Sequence, residues 1–208
     1  MRTVSTGSNE KGDFVVGRNP DAILKNLKAG NDAWIRDGGT ADLSEKSVSS
    51  LVGGQFPEAV IVTCSDSRVI PEAIFHAGTG ELFVIRTAGN TIGSEVMGSI
   101  EYAVAHLGVR LVVILGHTGC GAVTAAVNGE SGKYIHCITD RISQAVGSER
   151  NLYKACCLNV RYSAEEVQKS LKNLSPEDAE GHGGAVSNMD VEVIGAVFHL
   201  ESGQVEFL

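Results

Sequence analysis

No stretch of the 208-residue chain reaches the roughly 18 uninterrupted apolar residues of a membrane span. No dense run of lysine and arginine is present, and the formal net charge is −8, so nucleic acid is an unfavourable partner. A small neutral or weakly anionic substrate stays open, because the field inside a cleft need not follow net charge. The opening residues, MRTVSTGSNEKGDF, lack the apolar core of a signal peptide. There is no internal repeat and no low-complexity tract. The five cysteines, at positions 64, 120, 137, 156 and 157, are an odd number in a chain without a secretion signal. That predicts a reducing compartment, by default the cytoplasm, where thiols are free, metal-bound or catalytic.

What is present is ordinary for a soluble globular protein: 43% hydrophobic and 20% charged residues. The length fits one domain and can bury a sizeable core without disulfides. Residues 1–18 are polar and glycine-rich and are predicted to form a flexible arm, with a single domain over 19–208. Asn19-Pro20-Asp21 starts a predicted helix that runs to Gly38-Gly39, and LSEKSVSSLVGGQ reads as a short second one, closed by Gly53-Gly54. The period then changes. EAVIVT (58–63), ELFVIRTA (81–88) and VRLVVILG (109–116) are continuous, β-branched apolar runs, suited to central strands of a parallel sheet covered on both faces. PEAIFHAG is short and helical, and SEVMGSIEYAVAHLG carries Val96, Met97, Ile100, Val104 and Leu107 at helical spacing. Residues 138–173 are helix-like, SPEDAEGHGGAVSNMD is a loop, and VEVIGAVFHLESGQVEFL reads as two strands around Glu201-Ser202-Gly203. The fold class is therefore α/β: a mainly parallel central sheet with an antiparallel edge strand, flanked by helices, with an N-terminal helical arm.

Two clusters follow the ends of buried runs. TCSDSR places Cys64, Asp66 and Arg68 at spacing two, so an extended chain leans all three to one side. GHTGCG places His117 and Cys120 three apart, one turn if a helix begins there, where the helix dipole also helps a thiol to ionise. In open α/β sheets, sites form at the carboxyl ends of strands. If the two strands are neighbours, Cys64, His117 and Cys120 converge. Two thiolates and an imidazole favour zinc, and three protein ligands leave a fourth position for water, as in catalytic sites. Either motif alone is weak; the alternative to a metal is a bare sheet edge with an Asp66–Arg68 salt bridge. His76, His106, His136, His182 and His199 belong to no paired motif, and Cys137, Cys156 and Cys157 read as spare thiols.

CSDSR with Val69 and Pro71, ELFVIRTAGN, SIEYAVAHLGV, ILGHTGCGAV, NVRYSAEEV, the closing VIGAVFHLESGQVEFL and the helix LKAGNDAWI together resemble the β-class carbonic anhydrases, from about residue 20 to the C-terminus. Trp34 stands where that family commonly has Phe. The resemblance implies one Zn2+ per subunit held by Cys64, His117 and Cys120, and a dyad of Asp66 with Arg68. It also implies a homodimer or dimer of dimers with clefts at the subunit interface, and no membrane or nucleic-acid partner. Gln55, nine residues before Cys64, matches a substrate-binding glutamine of the plant-like branch; the residue by itself reads as a solvated loop position. Phe83 and Tyr102 match the aromatic lining of the cleft, with core packing as the alternative, and Gly121 offers a backbone N–H near the anion. Ile61 stands where the bicarbonate-inhibited branch has Trp, which favours an open site with Asp66 off the zinc; loss of Arg68 or acid would let Asp66 become a fourth ligand.

The reaction implied is reversible CO2 hydration by zinc-bound hydroxide. Zinc lowers the pKa of bound water to about 7 in the known three-histidine carbonic anhydrase. Two thiolates donate more charge than two imidazoles, so activity is expected to rise toward mildly alkaline pH. CS2 or COS hydrolysis, or a non-catalytic zinc-binding bicarbonate sensor, are the alternatives.

Overall fold

The computed structural model describes residues 19–38, 41–173 and 191–208. The arm predicted over 1–18, Gly39, and the loop predicted over 175–190 with its His182 lie outside the described residues. Helix α1 (Pro20–Asp37) begins where the sequence signals it: the Asn19 side chain accepts the Asp21 N–H, and Pro20 needs no hydrogen bond at the first turn. Helix α2 (Glu45–Ser50) is capped by Ser44. Strand β1 (Ala59–Cys64), helix α3 (Pro71–Ile74), strand β2 (Leu82–Thr87), a 3-10 turn (Ala88–Asn90), helix α4 (Ser94–His106) and strand β3 (Leu111–His117) follow. Then come α5 (Gly121–Val127), α6 (His136–Val146), α7 (Leu152–Lys172), β4 (Glu192–Phe198) and β5 (Val205–Phe207).

The sheet runs in the order β2-β1-β3-β4-β5. All pairs are parallel except the terminal hairpin β4–β5, the expected antiparallel edge. Alternate residues of each strand feed opposite faces. Ile61, Leu111, Val113, Leu115 and Phe198 meet α1 and α3 through Ile23, Leu27 and Ile74. Val60, Val62, Val112, Ile114 and Val197 meet α4 and α7 through Ile100, Val104, Val160 and Val167. Period-two patterning is therefore invisible in β1 and β3, since both of their faces are buried.

One strand departs from expectation. β2 is not central: it forms the outer edge of the sheet, and its residues are half-buried or exposed. Phe83 and Ile85 pack on the α4 side while Leu82 and Val84 pack on the α1 side, so the run is apolar because both faces are partly covered. Its free side has no strand beside it among the described residues.

Asn31 joins separate parts of this frame from α1. Its amide donates to the carbonyls of Ile74 (3.2 Å) and Gly203 (2.9 Å), and its oxygen accepts the Val205 N–H at 2.9 Å. The side chain thus holds α3, which follows the first chemical motif, to the terminal hairpin. Replacing it with leucine would strand three main-chain groups in a buried setting, each costing about 1 kcal/mol or more. Asn31→Leu is expected to lower unfolding free energy by about 2–4 kcal/mol, measured by denaturant titration. A loss no larger than that of a surface substitution would show the contacts to be dispensable.

Candidate metal centre

Parallel pairing of β1 with β3 sets Thr63 opposite Leu115, so the chain ends carrying Cys64 and His117 emerge side by side at one edge of the sheet. The donor atoms of Cys64, His117 and Cys120 all lie within 4.8 Å of one another and could hold a metal ion. The two sulfurs are 3.9 Å apart. Exposure of the three residues is 5%, 0% and 4%, so water does not solvate their charge.

Cys120 arrives by a route other than a helical turn. It is the N-cap of α5, in an extended conformation, and Gly119 at φ 66 makes the reversal that a side chain would strain. The motif TCSDSR also departs from simple alternation. β1 stops at Cys64, and the Asp66 carboxylate then accepts the Arg68 backbone N–H at 3.0 Å, closing a turn. The Arg68 guanidinium donates to both carboxylate oxygens, at 2.9 and 2.7 Å, and Arg86 donates to the Asp66 carbonyl at 2.7 Å. Asp66 is therefore turned to Arg68, with one oxygen 3.8 Å from His117 Nε2. The Arg68 hydrogen bonds hold the Asp66 carboxyl well below the usual carboxylate range, against a smaller effect of burial.

His117 is oriented by its other nitrogen. Nδ1–H donates to the Thr118 carbonyl at 2.9 Å, which leaves a lone pair on Nε2. That Nε2 is buried and has no hydrogen-bond partner. Burial pushes the imidazole pKa down, but Cys64, the Thr118 carbonyl and Asp66 together outweigh it and the net shift is upward. Between the thiols, hydrogen bonding from Cys120 brings Cys64 down to about 4, despite burial, with help from His117 and the Gly89 N–H. Cys120 is pushed up, because its proton serves the Cys64 sulfur and its site is dry; the Val123 and Ala122 N–H groups pull the other way without prevailing. In the metal-free chain the pair thus favours the thiolate on Cys64, while the Val123 and Ala122 N–H groups at the helix start act on Cys120 in the direction its position suggested. Two thiols sharing one proton beside an unpartnered imidazole lone pair is a donor set that a cation completes.

Of the remaining sequence-predicted positions only Gly121 adjoins the cluster, through its neighbour Cys120. Gln55 is exposed in the segment before β1, with no hydrogen bond to the cluster. Phe83 pairs with Val60, four residues before Cys64, so it sits about 13 Å down the strand from the cluster level. Its ring lies 6.2 Å from that of Tyr102, which is itself stacked on His106 at 4.7 Å. This aromatic group stands beside the open edge of β2, and Tyr102 is 44% exposed. Gly121 opens α5 next to Cys120, and a side chain there would meet nothing within 4 Å. Ile61 is wholly buried in the core.

Several contributors were assigned no role from the sequence. The Gly89 N–H donates to Cys64 Sγ at 3.3 Å, and Asn159 donates to the Gly89 carbonyl at 2.9 Å. Gly89 has φ 66, and a Cβ there would fall 2.7 Å from Ile142. Its sequence signal was its place after an apolar run, in the ELFVIRTAGN segment. Cys156, read as a spare thiol, donates to the His117 carbonyl at 3.2 Å, and burial raises its pKa to about 12, which keeps it a donor.

A family model described as carbonic anhydrase matches residues 59–205. The chain is 37% identical over 196 residues to carbonic anhydrase 2 of Mycobacterium tuberculosis, covering 89% of this chain and 91% of that protein. It is 34% identical to the carbonic anhydrase of Mycolicibacterium smegmatis, over 90% of this chain and 93% of that one. Among solved structures, a tetrameric β-carbonic anhydrase of Sordaria macrospora superposes with a TM-score of 0.65 at 26% identity, covering 90% of this chain and 94% of that one.

The thiol pair makes its own prediction. Metal-free protein is expected to show thiolate absorbance at neutral pH that fades as the pH falls through about 4, the value to which Cys64 is lowered. Cys64→Ser should abolish that band. A chain whose thiolate signal at neutral pH survives this substitution would place the charge on another sulfur.

Proposed function

The chain belongs to the β class of the carbonic anhydrase family, and from that premise we propose that it catalyses the reversible hydration of CO2 to bicarbonate and a proton. Cys64, His117 and Cys120 hold one Zn2+ per chain. The observation that carries this reading is the buried, unpartnered His117 Nε2 facing two thiols, beside a carboxylate kept apart by Arg68. Two sulfurs at about 2.3 Å from a tetrahedral zinc stand about 3.8 Å apart, close to the 3.9 Å between Cys64 and Cys120. When bound, the ion supplies Lewis acidity that brings the ionisation of water into the neutral range.

The chain's own groups do the rest. Asp66, kept ionised by Arg68, accepts the proton-side hydrogen bond of the attacking water and so aims its lone pair at the CO2 carbon. Arg68 holds Asp66 by two parallel bonds and keeps it from taking the fourth position itself. Gln55 and the Gly121 N–H are assigned to the substrate oxygens. The Phe83–Tyr102 pair, beside the free edge of β2, is assigned to the cleft of a neighbouring copy, in a homodimer or dimer of dimers. The tetrameric relative and the uncovered β2 edge support such an assembly. Ile61 in the core and Asp66 on Arg68 support the open-site branch. No helix among the described residues is long and apolar enough to cross a membrane. Five free thiols support a reducing, cytoplasmic setting.

Stopped-flow CO2 hydration with zinc measured on the same sample tests the reading. About one zinc per chain and a rate rising toward mildly alkaline pH are expected. Because Asp66 is held well below the usual carboxylate range, that rise reports water and not the dyad. Asp66→Asn should keep its zinc and lose about 100-fold or more in kcat/KM. Full turnover in the zinc-loaded variant would remove Asp66 from the mechanism. Zinc-loaded wild type that ignores CO2 but consumes COS or CS2 would make it a sulfur-substrate hydrolase.

A further inference from the structure

His117 supplies the single nitrogen donor of the cluster, and its aim depends on a carbonyl that belongs to the next residue. Thr118 is therefore worth following outward. Its backbone N–H donates to the Phe198 carbonyl at 3.0 Å, extending the β3–β4 pairing by one residue. Its hydroxyl accepts the Leu200 N–H at 3.0 Å and donates to Glu201 Oε2 at 3.0 Å. Both capacities of the hydroxyl are used, so its rotor is fixed. The carbonyl between these anchors receives the Nδ1–H of His117 at 2.9 Å. Gly119 then turns the chain to Cys120, with Leu200 lying 3.9 Å from where its Cβ would be.

We propose that Thr118 and Glu201 form a clamp from the β4–β5 turn that fixes the tautomer and aim of His117, and thereby tightens metal binding. The inference rests on the zinc reading of the cluster. Thr118 and Glu201 touch neither substrate nor ion; they are positioning residues, acting through the Thr118 carbonyl. Glu201 is exposed and tethers by its oxygen alone, so a glutamine can replace it there and an alanine cannot. The clamp also links β3, the strand that carries His117, to α1, because the same turn is held by Asn31 at Gly203 and Val205.

The test is zinc affinity by chelator competition on wild type, Thr118→Val, Thr118→Ser, Glu201→Ala and Glu201→Gln. The electronic spectrum of the cobalt-substituted forms and the thermal stability of the metal-free forms accompany it. Thr118→Val should raise the zinc dissociation constant by about 10–100-fold and displace the cobalt bands. Thr118→Ser and Glu201→Gln should stay within about threefold of wild type, with Glu201→Ala between. A purely architectural role would lower metal-free stability and leave affinity and cobalt bands unmoved. That pattern in Thr118→Val and Glu201→Ala, beside a zinc-binding wild type, overturns the clamp. A wild-type chain that takes up no zinc overturns the metal reading and the clamp with it.

Discussion

The constraint on which the site depends is the burial of a nitrogen lone pair with nothing to meet it. His117 Nε2 is enclosed at the end of β3, and its partner nitrogen is already committed to the Thr118 carbonyl. An unsatisfied buried polar atom costs about 1–3 kcal/mol, so a fold keeps one where it has a use. Here the use is read from the neighbours: two thiols 3.9 Å apart, sharing one proton, with the Asp66 carboxylate 3.8 Å from the same nitrogen. A cation relieves the imidazole and both sulfurs together, which an added hydrogen bond could not do.

Around that point the scaffold is rigid for reasons that can be named. Parallel pairing brings the two strand ends to one edge, and layers on both faces keep the strands from shifting register. Gly119 makes a turn whose positive φ would strain a side chain, and Gly89 approaches Ile142 where a side chain would obstruct. Asp66 is held by Arg68 at its side chain and by Arg86 at its carbonyl, so a carboxylate sits beside the cluster without entering it. On the proposed reading this separates two roles for negative charge: the thiols would hold the ion and the carboxylate would face the reactants.

The open edge of β2 and the Phe83–Tyr102 pair belong to a different scale. Apolar surface on an unpaired edge strand is a liability in an isolated chain, and association is the usual way of covering it. The tetrameric assembly of the Sordaria macrospora relative supports the proposal that a second copy covers this edge. A cleft lined partly by the neighbouring copy would also explain why the pair lies about 13 Å along the strand from its own chain's cluster level.

The strand runs, the helix start at Asn19, the short second helix, the terminal hairpin and the five candidate residues of the two chemical motifs were legible in the sequence. Each depends on local chemistry: apolar period, capping side chains, and ligand types at short spacing. What the sequence could not carry was the neighbourhood of residues far apart in the chain. That β2 is an edge, that Asp66 closes a turn onto Arg68, and that Cys120 caps α5 were decided by packing and turn geometry. Gly89, Thr118 and Asn31 lay inside quoted motifs and Cys156 in none, yet no role could be read for any of them, because their contribution is a main-chain or second-layer hydrogen bond that exists only once the sheet is assembled. Local sequence therefore determined which atoms can bind and react. The tertiary structure decided which of them meet, since burial and desolvation act across the sheet and not along the chain.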